Sequence, residues 1–183
     1  LVAAIISSPE NIKRLDEIKA DIQKLADGNL SPSDREKLII NTPAVTWLSY
    51  GVHGDEISST DAGLSLAYHL LAAQDDPIVS IILKDTIVII DPVQNPDGRE
   101  RFIQSFESSL GLEPLSDRYS AEHDQPWPGG RFNHYLFDLN RDWFAVSQPE
   151  TRGKIKAVLE WNPVVVVDAH EMDGDETYFF APA

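Results

Sequence analysis

Short continuous apolar runs alternate along this chain with stretches of helical periodicity. Residues 1–6, Leu-Val-Ala-Ala-Ile-Ile, read as a strand. Ser8-Pro9-Glu10 then opens a helix, with Ser8 as N-cap and Pro9 at the first helical position. Ile12, Leu15, Ile18, Ile22 and Leu25 fall on one face of that helix, and Gly28 ends it. Residues 45–50 form a second strand, followed by a helix over 57–73 whose buried side is expected to carry Leu64, Tyr68 and Leu71. Residues 86–90 are an apolar run flanked by charge and proline, hence a buried strand. A helix is expected within 97–106 and another over 149–161, and four valines at 164–167 make a further buried strand. Residues 110–137 are rich in Gly, Pro and polar side chains. A long irregular segment of this kind is usually tolerated in a compact domain for function.

The alternation of strand and helix predicts an α/β layered domain. With 183 residues, 42% of them hydrophobic, the chain can bury one sizeable core and is read as a single domain. It opens inside an apolar run and stops just after a strand-like segment, so both ends are expected to continue in a longer protein. No signal peptide is seen, and no apolar stretch approaches the length of a membrane span. The net charge of −15 argues against sequence-independent binding to nucleic acid or to an anionic membrane surface. The absence of cysteine removes disulfides and thiol catalysis without fixing a compartment.

The chemistry concentrates after the strands. His53 and Glu56, in the run Tyr50-Gly51-Val52-His53-Gly54-Asp55-Glu56, follow one strand, and His170 follows another. Open α/β sheets place their sites beyond the carboxyl ends of strands. Two imidazoles and one carboxylate form an open zinc site, with the fourth tetrahedral position left for water. Taken alone, each element has a plainer meaning. His-x-x-Glu is short and common, and a lone histidine after a valine run is more often buried and satisfied than a ligand. Asn95-Pro96-Asp97-Gly98 is a strong turn sequence. Arg131 and Arg141 stand out in an acidic chain, and guanidinium suits bidentate carboxylate recognition, although either could pair with one of the thirty acidic residues. Asp138 is of the type that orients a metal-bound imidazole. His69 reads as structural. His123 has no partner pattern, and the roles of His134, Trp127 and Trp143 stay open.

Four motifs occur in order: His-x-x-Glu at 53–56, Asn-Pro-Asp-Gly at 95–98, Asp-Leu-Asn-Arg at 138–141 and Asp-Ala-His at 168–170. Together they resemble the zinc carboxypeptidase family, the M14 type, over most of the chain. The resemblance implies a three-layer α/β/α sandwich around a mixed, twisted sheet. It implies one zinc ion held by His53, Glu56 and His170, with Asp138 accepting a hydrogen bond from His53. Arg131 would polarise the scissile carbonyl, and Asn140 and Arg141 would bind the free C-terminal carboxylate of a peptide substrate. The implied activity is hydrolysis of the C-terminal peptide bond, and the resemblance leans towards a secreted or periplasmic location.

One departure matters. The family's general base is a glutamate well downstream of the last zinc ligand, yet only thirteen residues follow His170. The base is therefore expected beyond Ala183, because Glu171 and Glu176 are poor substitutes. Two alternatives stay open: an aspartoacylase-like zinc deacylase of N-acyl amino acids, and a non-catalytic module that binds peptide C-termini.

Overall fold

In a computed structural model of the chain, residues 2–73 and 75–172 are described. Among them, four strands make one mixed sheet: β1 (Ala4–Ile6), β2 (Ala44–Tyr50), β3 (Thr86–Asp91) and β4 (Val165–Ala169), in the order β1-β3-β2-β4. β1 runs antiparallel to β3, and the other pairs are parallel. The helices are α1 (Pro9–Lys13), α2 (Leu15–Asp27), α3 (Pro32–Asn41), α4 (Ile57–Ala72), α5 (Pro77–Asp85), α6 (Pro96–Ser109) and α7 (Pro149–Trp161).

Strand alternation divides the core in two. Val45 pairs with Ile87 and Trp47 with Ile89, which sends these four to the same face. There they meet Ile18 and Ile22 of α2 and Trp161 of α7. Val88 and Ile90 point the other way, onto Ile6, Leu70 of α4 and Val79 of α5. Helices thus cover both faces, giving the three-layer α/β/α arrangement and mixed sheet that the family resemblance implies. Each such side chain removed from water is worth about 1.5–3 kcal/mol. Towards the carboxyl ends of the strands the α2/α7 face turns polar. Ser49 lies opposite Asp91 on one side and Asp168 on the other.

Several expectations from the sequence need correction. The first helix is two helices, broken at Arg14. Buried Asn11 donates to the Leu83 and Lys84 carbonyls and to Ser7, pinning α1 to the end of α5. Ile12 is consequently left exposed while Ile18 and Ile22 of α2 reach the core. Gly28 does end α2, in the left-handed conformation.

The buried side of α4 is also different from the one expected. Leu64, Tyr68 and Leu71 are 57%, 74% and 64% exposed, whereas Ser59, Thr60, Gly63 and Leu70 are buried. Small side chains let α4 lie close to β2. A Cβ at Gly63 would come 2.8 Å from the Tyr50 ring, and one at Gly51 would come 2.6 Å from Thr60 Oγ1. Gly51 also has φ of 62°, so the turn leaving β2 needs glycine twice over.

β4 is not a buried strand among the described residues. Among those residues it is the outermost strand, and Val165, Val166 and Val167 are roughly half exposed. Two helices, α3 and α5, are absent from the sequence reading, although Ser31-Pro32 and Asp76-Pro77 each supply a cap and a first-turn proline.

Candidate metal centre

Three loops meet at the carboxyl end of the sheet: 51–56 after β2, 92–98 after β3 and 129–138. Their backbones touch through glycine. The Gly54 N–H donates to the Gly130 carbonyl at 2.8 Å. A Cβ on Gly54 would overlap the Arg99 amide, and one on Gly98 would overlap the Gly130 carbonyl oxygen. Asn95, fully buried, caps α6 by accepting from the Gly98 N–H at 2.9 Å, and its amide donates to the Arg131 carbonyl. Arg101 of α6 donates to the carbonyls of Gly129, Phe132 and Asn133. The Asn-Pro-Asp-Gly turn is therefore a brace that fixes the loop carrying Arg131 and Asp138.

His53, 3% exposed, sits inside this junction. Its Nδ1 lies 2.6 Å from Glu56 Oε1, and its Nε2 lies 3.2 Å from Asp138 Oδ1. Asp138 Oδ2 in turn accepts from Arg131 Nε at 3.0 Å and Nη2 at 2.9 Å. Asp138 also caps the 3₁₀ turn Leu139–Arg141 by accepting from the Asn140 N–H.

His170 follows β4, and its side chain is one-third exposed. Its Nδ1 stands 3.1 Å from Glu56 Oε2, and its ring centroid is 5.1 Å from that of His53. Nε2 points the other way, 3.3 Å from Asp168 Oδ2 and 3.4 Å from Asn140 Nδ2.

Glu56 occupies the N-cap position of α4 but makes no side-chain cap. That task falls to Glu171. One of its oxygens accepts from the Ser58 and Ser59 N–H groups at 2.6 and 3.0 Å and from the Ser58 hydroxyl. Glu56 is thereby released to face both histidines, and its Oε2 also receives the Glu171 N–H at 3.0 Å. Sequence reasoning passed over this division of labour. The signal available was the pair Ser58-Ser59 at a helix start with no acid in the first turn.

The electrostatics follow from the contacts. Burial would push the His53 imidazole down, but the hydrogen bond and charge of Glu56, with Asp138 behind, raise it against the opposing Arg131. Burial works to raise Glu56 and Asp138. Glu56 is nonetheless lowered by His53, the Glu171 N–H and His170, and Asp138 by Arg131 and His53.

Hydrogen-bond-range contacts thus link His53, Glu56, His170, Asp138, Arg131 and Asn140 in one neighbourhood. Arg131 is held on Asp138. Arg141 is exposed, donates to the Asn140 carbonyl at 3.1 Å, and makes no ion pair among the described residues. His69 and His134 are exposed, and His123 bonds to the Leu115 carbonyl, away from the cluster. Trp127 is largely exposed, while the ring of Trp143 stacks on Lys154. Glu176 lies outside the described residues.

One ligand atom each from His53, Glu56 and His170 lie within 4.8 Å of one another. Zinc holds N and O donors at about 2.0–2.2 Å, which sets tetrahedral donors about 3.4 Å apart. The His170–Glu56 separation of 3.1 Å is near that value, the His53–Glu56 separation of 2.6 Å is a shorter hydrogen-bond distance, the two imidazoles present the same ring nitrogen, and the donor set is of the open catalytic kind. The residues present fit the ion.

Fold and site together define an α/β protein with a two-histidine, one-carboxylate centre beyond the carboxyl ends of parallel strands. The sequence profile of the zinc carboxypeptidase family matches residues 30–157, and the chain belongs to that family. It is also similar to carboxypeptidase D of Mus musculus and of Rattus norvegicus. Each is 30% identical over 112 residues, which is 60% of this chain and 7% of the length of those proteins. The matched family segment contains His53, Glu56, Asp138, Asn140 and Arg141; His170 lies past it.

Proposed function

We propose that the protein is a zinc-dependent carboxypeptidase that removes C-terminal residues from peptides. The observation that carries this reading is the convergence of His53, Glu56 and His170 beside a 3₁₀ turn that presents Asn140 and Arg141. Zinc in such a site lowers the pKa of its water and polarises a carbonyl. The chain's own residues do the rest. Glu56 and the two Nδ1 atoms would hold the ion, and Asp138 fixes the His53 tautomer by accepting from Nε2. Arg131 Nε and Nη2 are directed to Asp138, and the remaining guanidinium donors offset charge growing on the scissile carbonyl oxygen. Arg141 and Asn140 dock the terminal carboxylate, which restricts cleavage to chain ends.

Glu171 is committed to the N-terminus of α4, so the general base comes from elsewhere in the protein. Among the described residues no helix is long and apolar enough to cross a membrane.

The test is digestion of matched peptides with free and amidated C-termini by the full-length protein, followed by mass spectrometry, with and without a chelator. Chelator-sensitive loss of single residues from free C-termini alone is expected. Arg141→Ala should raise KM for free-carboxylate peptides on the order of 100-fold with a smaller change in kcat, as loss of a charge-assisted pair implies. Equal loss on amidated peptides would overturn the assignment of Arg141. Release of acetate or succinate from N-acyl amino acids with no peptide cleavage would replace the peptidase by a deacylase.

A further inference from the structure

His53 has an obvious brace in Asp138 and Arg131. His170 has one too: it begins at Asp168 of the Asp-Ala-His motif and continues into Gln94 and Lys154, which the four motifs do not include. Asp168, two positions before it on β4, places Oδ2 3.3 Å from His170 Nε2. Its other oxygen, Oδ1, accepts from Gln94 Nε2 at 2.8 Å. Gln94 Oε1 accepts in turn from Lys154 Nζ. Gln94 is 2% exposed and Lys154 is 5% exposed, and the ammonium lies 3.8 Å over the Trp143 ring. An imidazole, a carboxylate, an amide and a buried ammonium thus form one chain from the metal position to α7.

We propose that Asp168, held by Gln94 and Lys154, is a positioning residue for His170. The proposal rests on the metal-centre reading above. With Nδ1 turned to Glu56, the ring's proton sits on Nε2 and is donated to Asp168. The Asn140 amide cannot also donate to that nitrogen, so it is left for substrate. The need for such a brace is physical. The His170 side chain is one-third exposed among the described residues, so hydrogen bonds have to fix its rotamer. Gln94 binds one Asp168 oxygen and leaves the other facing His170. Lys154 orients the Gln94 amide by donating to its Oε1. A buried lysine is costly to keep in a fold, and one whose ammonium meets an amide oxygen and an aromatic face has a directional task.

The test measures zinc affinity of the full-length protein by chelator competition, together with the visible absorption of the cobalt-substituted protein. Asp168→Asn keeps shape and can still accept from Gln94 through its oxygen, so melting behaviour should stay near wild type. Zinc should bind 10–100-fold more weakly, the range typical for loss of a group that orients a ligand, and the cobalt bands should shift. Gln94→Met breaks the chain one step earlier and should weaken zinc several-fold in the same direction, which serves if the first variant does not fold. Wild-type affinity and an unchanged cobalt spectrum in the folded variants would overturn the proposal while leaving the zinc site intact. Failure of the wild type itself to bind zinc would overturn the metal reading, and the proposal with it.

Discussion

The two imidazoles of the centre are held by opposite means. His53 is enclosed: three backbone loops close on it through Gly54, Gly98 and Gly130, and its brace is a direct Asp138–Arg131 pair. Among the described residues His170 is the more open: it follows β4, the outermost of the four strands, and its brace runs through Gln94 to a lysine in α7. The first is fixed by packing with hydrogen bonds added, the second by hydrogen bonds with little packing. Glu56 spans the two, one oxygen towards each ring, and can do so because Glu171 has taken over the cap of α4. A difference of this kind teaches where each half of the site should fail. Disturbing the loops should harm the His53 side through stability. Disturbing the polar chain should harm the His170 side through metal affinity.

The largest expected effect would test whether both halves are needed. His53→Ala and His170→Ala should each weaken zinc binding by about 1,000-fold or more, since two remaining ligands make a poor site. They should differ in stability. His53→Ala leaves a void and deprives Asp138 of a partner in a buried junction, and should lower stability by about 2–4 kcal/mol. His170→Ala, on a partly exposed side chain, should cost under about 1 kcal/mol. Denaturant melts of the metal-free proteins separate the two. Equal stability losses would erase the contrast drawn above.

Next comes the loop junction itself. In Gly98→Ala the new Cβ would overlap the Gly130 carbonyl oxygen, the same group that receives the Gly54 N–H. Backbone cannot yield as a flexible side chain can. Destabilisation of about 2–4 kcal/mol is expected, with a lower chemical-denaturation midpoint. A variant as stable as wild type would show that the three loops are not locked in the way described.

These contrasts also explain what the sequence could reveal. The ordered motifs were legible because ligands and turn residues sit at fixed short spacings next to strand ends. His53, Glu56, Asn95 and Asp138 all belong to that kind, and the fold brings them to one junction at the strand ends. The α4 face was misread because the helix is pressed against β2 through Ser59, Thr60 and Gly63, and a small-residue face carries no apolar periodicity. The break at Arg14 depends on Asn11 finding carbonyls more than seventy residues away. Lys154 was invisible for the same reason: lysine in a helix reads as solvent-facing, and only the tertiary fold turns Lys154 inward beneath Trp143. β4 was read as buried because four valines carry the signal of burial without saying which neighbours supply it.

The smallest effect concerns Asp91, which lines the same polar end of the α2/α7 face as Lys154. It is almost wholly buried, and its Oδ1 has no hydrogen-bond partner among the described residues. Burial pushes its carboxyl up to about 6, helped by the negative Asp168 and opposed by Lys154. Unfolded, it would titrate near about 3.9. Between those values the folded chain binds more protons at this group than the unfolded chain does. Its contribution to stability therefore falls as pH rises through about 4 to 6, and is lost above that window. The acids around His53 behave oppositely. Glu56 and Asp138 are lowered, so they stabilise above the ordinary carboxylate range and lose that contribution only as pH falls through their folded values. Asp91→Asn removes the titrating group with little change in shape. The stability of the variant minus that of wild type should climb by about 2–3 kcal/mol between pH 4 and pH 7.5, read from denaturant melts of the metal-free protein at each pH. Subtracting the two curves cancels the acids on the His53 side, which are common to both. A flat difference would mean that Asp91 is ionised at all these pH values, and that Lys154 is engaged by Asp91 rather than reserved for Gln94 and Asp168.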